Sequence, residues 1–339
     1  MIDRCPHCDA YNEHRGRFCN KCGFDMDAAV PAEGDLLKKL MIVIALFCAV
    51  VIVIDVFCLI INAYDVFEFL NTKSYNVSIF IPMPIKIFTL SGNALGVYWI
   101  LMVITIICCV GYGLYKFLIS FSKGNTSTPE NTGFFWGVNT SALMLFLTMA
   151  MVMVIMIAGI EEIENPLPSD PLNLMFSTAN AAVWEELTDR VLFIGLPMTL
   201  VSLAMCKGTS ALKCLLGGFG MSKFSLALIV ISAVLFGASH FDLWDQYWKV
   251  LQTGIMGLLM GYVFVKFGLY ATVIMHFFTN FMSSFDWMGM GGLGITVTFI
   301  IILAGFIVFI YLLTKMENPI KKFRALPNMP DLTNGDSKK

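Results

Sequence analysis

Glu185-Glu186-Leu187-Thr188-Asp189-Arg190 lies in the middle of an otherwise apolar segment, about 172–206. A charge at mid-membrane costs roughly 2.5–3.5 kcal/mol on insertion scales, so membrane helices keep one only where it is paired or does chemistry. Glu186 and Arg190 are spaced i, i+4 with the acid first, the favourable order for a helical ion pair. Glu185 lies about 100° further round the helix and is left free, a candidate general base for water.

Two further polar groups occur in the apolar segments that follow. Phe236-Gly237-Ala238-Ser239-His240 ends one segment with an imidazole, and His276-Phe277-Phe278-Thr279-Asn280 puts a histidine and an amide on one helix face at i, i+4. The composition around them is that of a lipid-embedded chain. Of 339 residues, 58% are hydrophobic and only 14% charged, and the mean hydropathy is +0.77; a soluble domain would be about a quarter charged. The formal net charge of −2 gives no sign of a nucleic-acid partner.

At roughly 20 apolar residues per crossing, spans are expected at about 37–61, 95–119, 134–160, 172–206, 224–241, 249–266, 269–284 and 295–314. The fourth is read as one long helix, tilted or kinked at Pro197, because the acidic loop 161–171 precedes it and Lys207, Lys213 and Lys223 follow. Basic residues favour the cytoplasm. Lys321, Lys322 and Arg324 therefore place the C-terminus inside, and an even number of spans places the N-terminus there too. Lys73 and Lys86 in the loop 62–94, expected outside, dissent. Gly257 and Gly261 form a GxxxG, read as close helix packing.

The ten cysteines fall into two groups. Cys48, Cys58, Cys108, Cys109, Cys206 and Cys214 sit in or beside apolar segments and are read as packing residues. Cys5, Cys8, Cys19 and Cys22 form CxxC-x10-CxxC in a polar N-terminus. Two such knuckles complete a tetrahedral Zn²⁺ site, and so short a module needs the metal for its folding energy. His7 and His14 are then bystanders. Arg4, Arg15, Arg17 and Lys21 read as a solvated cytoplasmic face rather than a nucleic-acid patch.

The expectation is an all-α polytopic membrane protein of about eight transmembrane helices behind a small zinc ribbon. The ribbon covers 1–30, a linker 31–36, N-terminal transmembrane helices 37–125, a core 130–315, and a disordered cytoplasmic tail 316–339.

The order EExxxR, FxxxH, HxxxN on separate apolar segments resembles the CAAX-protease and bacteriocin-processing (Abi) family of intramembrane proteases over roughly 130–315. The resemblance implies that Glu185 and His240 activate water for attack on a peptide carbonyl. It implies that His276 and Asn280 stabilise the oxyanion, and that Glu186 and Arg190 orient and neutralise. It leaves a catalytic metal open, since Glu185, His240 and His276 could supply three zinc ligands with a fourth position free. It also implies a membrane-associated peptide or protein substrate, prenylated proteins included, and leaves the substrate itself open. The chain departs from the family pattern at Asp189, where an aromatic is usual, and at Val191, where glycine is usual. The alternative is a catalytically silent scaffold whose zinc ribbon recruits a cytoplasmic partner. HExxH is absent, and Tyr64-Asp65 lacks a matching GxGD.

Overall fold

A computed structural model describes residues 33–122, 128–159, 168, 170–204, 211–241, 247–281, 289–316 and 319–330. The zinc-ribbon expectation at Cys5, Cys8, Cys19 and Cys22 and the residues beyond 330 lie outside them.

The described chain is mostly helical. Six helices are long and apolar enough to cross a membrane: 36–61, 93–120, 133–157, 171–204, 247–267 and 291–314. The two remaining expected spans are shorter, with 17 residues in Lys223–Ser239 and 13 in Leu269–Phe281. At about 1.5 Å per residue the latter covers only about 20 Å, less than the hydrocarbon. It can be short because it is an inner helix. Ala271 to Phe278 are all buried, packed against Asn93–Ser120, Gly133–Ile157 and Pro171–Glu186.

These helices are α1 (Glu33–Ile61), α3 (Asn93–Ser120), α4 (Gly133–Ile157), α5 (Pro171–Glu186), α6 (Leu196–Ala204), α8 (Lys223–Ser239), α9 (Tyr247–Phe267), α10 (Leu269–Phe281) and α11 (Gly291–Thr314). Three short ones join them: α2 (Ala63–Leu70), α7 (Ala211–Leu216) and α12 (Pro319–Ala325). The fourth expected span is continuous, as expected, but its interruption differs. Leu187–Gly195 winds as a π-helix between α5 and α6. Pro197 follows directly and lacks the N–H an α-turn would need. π-turns concentrate at functional sites, and this one carries Asp189 and Arg190.

The GxxxG on α9 packs as expected. A Cβ on Gly257 would come within 2.9 Å of the Ala233 backbone on α8, and one on Gly237 within 2.7 Å of the Val250 carbonyl on α9. The two helices thus meet almost backbone to backbone beside His240. Cys48, Cys58 and Cys214 are buried as packing residues, whereas Cys108 is exposed.

The mostly helical chain agrees with the all-α expectation, and two features add to it. The loop 62–94 carries structure of its own. After α2 it forms an antiparallel hairpin of β1 (Ser74–Ile81) and β2 (Met83–Ser91) with a bulge at Val77/Ser78. Its Val, Ile and Phe content suits a pleated strand. β1 lies against α8 and β2 against α3. The tail expected to be disordered from 316 also carries structure up to Pro330. It forms α12, then lends the carbonyls of Pro327 and Asn328 to the backbone N–H groups of Lys223 and Phe224. Those N–H groups open α8 and have no partner within the helix.

Candidate active site

The end of α5 and the π-turn carry the charged stretch into the bundle. Glu186 and Arg190 are both fully buried, with Arg190 Nε 3.5 Å from Glu186 Oε2. That spacing is an ion pair, not a well-formed hydrogen bond. The two terminal nitrogens of Arg190 find partners on other helices, while Nε has only the ion pair. The guanidinium donates to Ser232 Oγ on α8 at 2.7 Å, contacts Met260 Sδ on α9 at 3.6 Å and stacks 5.1 Å from the Phe236 ring centre. Ser232 in turn donates to the Asp189 backbone carbonyl at 2.6 Å. The Asp189 side chain lines the same cavity as Glu185 and His240 and accepts from Thr188 Oγ1 at 3.3 Å.

His276 on α10 joins the two neighbouring glutamates. Its Nδ1 is 2.9 Å from Glu186 Oε1, and its Nε2 is 3.7 Å from Glu185 Oε2. A carboxylate only accepts, so Nδ1 carries the proton in the first contact. The second is too long for a hydrogen bond. Asn280, one turn on, is partly buried.

His240 caps α8. Its Nδ1 is 2.7 Å from the Phe236 carbonyl and 3.3 Å from Ser239 Oγ. A carbonyl cannot donate, so the proton sits on Nδ1 and Nε2 keeps the basic lone pair. The ring packs edge-on against Phe236 at 4.7 Å, and Phe236 packs edge-on against His276 at 6.4 Å. One aromatic side chain thus spaces both histidines and covers the arginine.

A cavity of about 60 Å³ opens between these groups, lined by Glu185, Asp189, Phe236, Ser239, His240 and Phe80. A single water needs roughly 10–15 Å³ on the same measure. Glu185 is 24% exposed where Glu186 is not exposed at all. The structure therefore brings Glu185 and His240 to one water-sized space. Glu186, Arg190 and His276 pack beside it, and Asn280, one turn beyond His276 on α10, is not among its lining residues. Phe80 comes from β1, outside all three motifs. Alternating apolar residues at Val77, Ile79 and Ile81 were the available signal.

The hairpin is tied down by polar contacts. Trp184 Nε1 donates to the Ser78 carbonyl at 2.7 Å. Asn180 Nδ2 donates to the Tyr75 hydroxyl at 3.0 Å, and the Tyr98 hydroxyl donates to Asn180 Oδ1. Burial pushes the Tyr75 hydroxyl up from its ordinary pKa, so it stays a neutral phenol. Edge-on packing of Tyr75 on Phe176 adds to this.

Glu185, His240 and His276 do not stand as a ready-made set of three ligands in this structure. Among the described residues no three His, Cys, Asp or Glu side chains converge as metal ligands. Both Nδ1 atoms are engaged, His276 with Glu186 and His240 with a backbone carbonyl, which leaves each ring its Nε2.

Residues 167–282, roughly a third of the chain, match the family model described as type II CAAX prenyl endopeptidase Rce1-like. The matched segment contains all three motifs. No curated protein and no solved structure matches the chain.

Proposed function

We propose that this protein is an intramembrane endopeptidase of the CAAX-protease type that hydrolyses peptide bonds in membrane-associated substrates, prenylated proteins among them. One observation carries this: Glu185 and His240, from different helices, line one water-sized cavity, while the adjacent Glu186 is neutralised by Arg190 behind it. The Rce1-like match over the same residues supports it.

In this mechanism Glu185 takes a proton from a cavity water, aided by the lone pair of His240 Nε2, and the hydroxide adds to the scissile carbonyl carbon. The oxyanion that forms is held by His276 Nε2 and the Asn280 amide. With Nδ1–H committed to Glu186, Nε2 donates only when the ring carries both protons. Fixed donors in a site that excludes water strengthen as charge develops on oxygen. The carbon–nitrogen bond then breaks, and the leaving amine takes the proton held by Glu185. Glu186 and Arg190 fix the position of His276 and cancel charge.

The experiment is peptide cleavage by the full chain purified into nanodiscs. Glu185→Gln keeps shape and removes the base, so turnover should fall about 10²–10⁴-fold. Unchanged cleavage by that variant, or none by the wild type, would favour a scaffold.

The same proposal gives Cys5, Cys8, Cys19 and Cys22 one structural Zn²⁺ and a role in recruiting a cytoplasmic partner. Metal analysis of the purified chain should lose about one zinc when Cys5 and Cys8 become serine. It also places both termini in the cytoplasm and the cavity towards the exterior. Phe80 ties the cavity to the hairpin end of the bundle, so Met83, 66% exposed, reports its side. Met83→Cys, with the other cysteines replaced by serine, should label with an impermeant thiol reagent on intact cells. Labelling only after permeabilisation reverses the orientation.

A further inference from the structure

Among the described residues the hairpin supplies one of the cavity's six lining side chains, Phe80, and the only one that does not come from a motif helix. Its main chain is as informative as its ring. Ser78 accepts a hydrogen bond at its carbonyl from Trp184, so that carbonyl faces away from β2. In an antiparallel strand the N–H and C=O of a residue face the same side, and the side alternates along the chain. Phe80, two residues on and past the bulge, therefore faces the way Ser78 does. The register agrees independently: Phe80 stands opposite Pro84, which has no N–H to donate. The Phe80 N–H and C=O thus project from the edge of β1 that β2 leaves open. Among the described residues nothing outside the hairpin hydrogen-bonds to either.

A peptidase working in a membrane faces a specific difficulty. Its substrate arrives helical, because every backbone polar group in lipid must be satisfied internally. The scissile carbonyl is reached only when the segment is unwound, which strands N–H and C=O groups at a cost of several kcal/mol each. An open strand edge at the catalytic cavity supplies replacement partners for those groups.

We propose that the open edge of β1 at Phe80 receives the unwound substrate as an added antiparallel strand. One substrate residue exchanges both backbone hydrogen bonds with Phe80, and the Phe80 ring forms the pocket wall for the side chain beside the scissile bond. This rests on the peptidase function proposed above. The edge is short, since Trp184 already takes the Ser78 carbonyl. Pairing is therefore confined to one substrate position, and a longer strand has no further partners upstream. The attachments Trp184–Ser78 and Asn180–Tyr75 hold the edge at a fixed distance from Glu185, because Asn180 and Trp184 share α5 with it.

The test uses the full-length protein in nanodiscs and a pool of quenched fluorogenic apolar decapeptides, with cleavage sites read by mass spectrometry. A cleaved peptide is then resynthesised with a single N-methyl group moved along its backbone. N-methylation at one position should raise KM about tenfold, through the lost bond and the steric block of the edge, with kcat within threefold. Methylation at positions one residue to either side should have little effect on KM. Phe80→Pro removes the N–H without touching the ladder and should raise KM similarly. Phe80→Ala keeps the N–H and should instead broaden the preference for the residue beside the cleaved bond. A flat N-methyl scan together with wild-type KM in Phe80→Pro overturns the proposal; if that variant does not fold, the scan on the wild type decides alone. Cleavage that survives in Glu185→Gln, or no cleavage by the wild type, overturns the peptidase function itself, and the strand-docking proposal falls with it. Cleavage abolished by Glu185→Gln but indifferent to N-methylation leaves the peptidase standing and removes only the strand edge.

Discussion

Glu185 and Glu186 are neighbours in the chain and opposites in the fold. Glu186 is fully buried, faces Arg190 and His276, and has no contact with the cavity; Glu185 is 24% exposed and lines it. The difference comes from helix geometry. A turn of about 100° between successive residues sends one carboxylate into the bundle, where only an ion pair makes it tolerable, and the other to the space where water can enter. Identical side chains thus meet two environments, a buried ion pair on one side and, on the other, the cavity where the proposed mechanism puts the general base. The same division runs through the histidines. His276 is held by a carboxylate, whereas His240 spends one nitrogen on a backbone carbonyl and keeps the other basic.

The buried side of this comparison should break most sharply. Arg190→Leu strands Glu186 in the interior and should cost about 3–5 kcal/mol of stability, whereas adding Glu186→Leu to the same chain should recover much of the loss. Denaturation midpoints of the two variants in matched micelles check this, and a double variant no more stable than the single one would mean that the pair is not the coupled unit. A smaller effect is expected where α8 and α9 touch. Gly257→Val forces a side chain against the Ala233 backbone and should cost about 1–3 kcal/mol while moving His240, so turnover should fall with stability. Wild-type stability in that variant would show that the helices can separate freely. The smallest expected change is on the cavity side. Trp184→Phe removes the bond to Ser78 and should cost only about 0.5–1.5 kcal/mol. Hydrogen exchange of 74–81 should nevertheless rise, and unchanged protection would mean that the hairpin is held by other contacts.

The buried pair could be anticipated from the sequence because its spacing is local: Glu186 and Arg190 are one helical turn apart. The separation of Glu185 from it was equally local. The GxxxG contact on α9 was also legible, since small residues at that spacing have one common use in a bundle. What the sequence left hidden was non-local or in competition with a stronger signal. The hairpin 74–91 was masked by its setting between two apolar helices, where a polar-flanked stretch reads as a connection. Its two prolines, Pro82 and Pro84, also look like loop punctuation rather than the tip of a hairpin. The shortness of α10 was invisible because hydropathy measures apolarity, and a helix buried in protein is as apolar as one buried in lipid. The π-turn was foreshadowed only by Pro197, which marks a disturbed ladder without saying how the chain accommodates it. Ser232 and Phe236, which complete the arginine site, come from another helix and could be paired with Arg190 only once α8 was placed.

The measurement that separates the two carboxylates most directly is a side-by-side comparison of Glu185→Gln and Glu186→Gln in the same nanodiscs, scored for peptide turnover and for thermal unfolding. Glu185→Gln should unfold within a degree or two of the wild type and lose about 10²–10⁴-fold in turnover. Glu186→Gln leaves a buried guanidinium without its counter-charge and should unfold markedly earlier. A Glu185→Gln protein that still cleaves, or a Glu186→Gln protein that is fully stable and merely inactive, would contradict the division of roles between them.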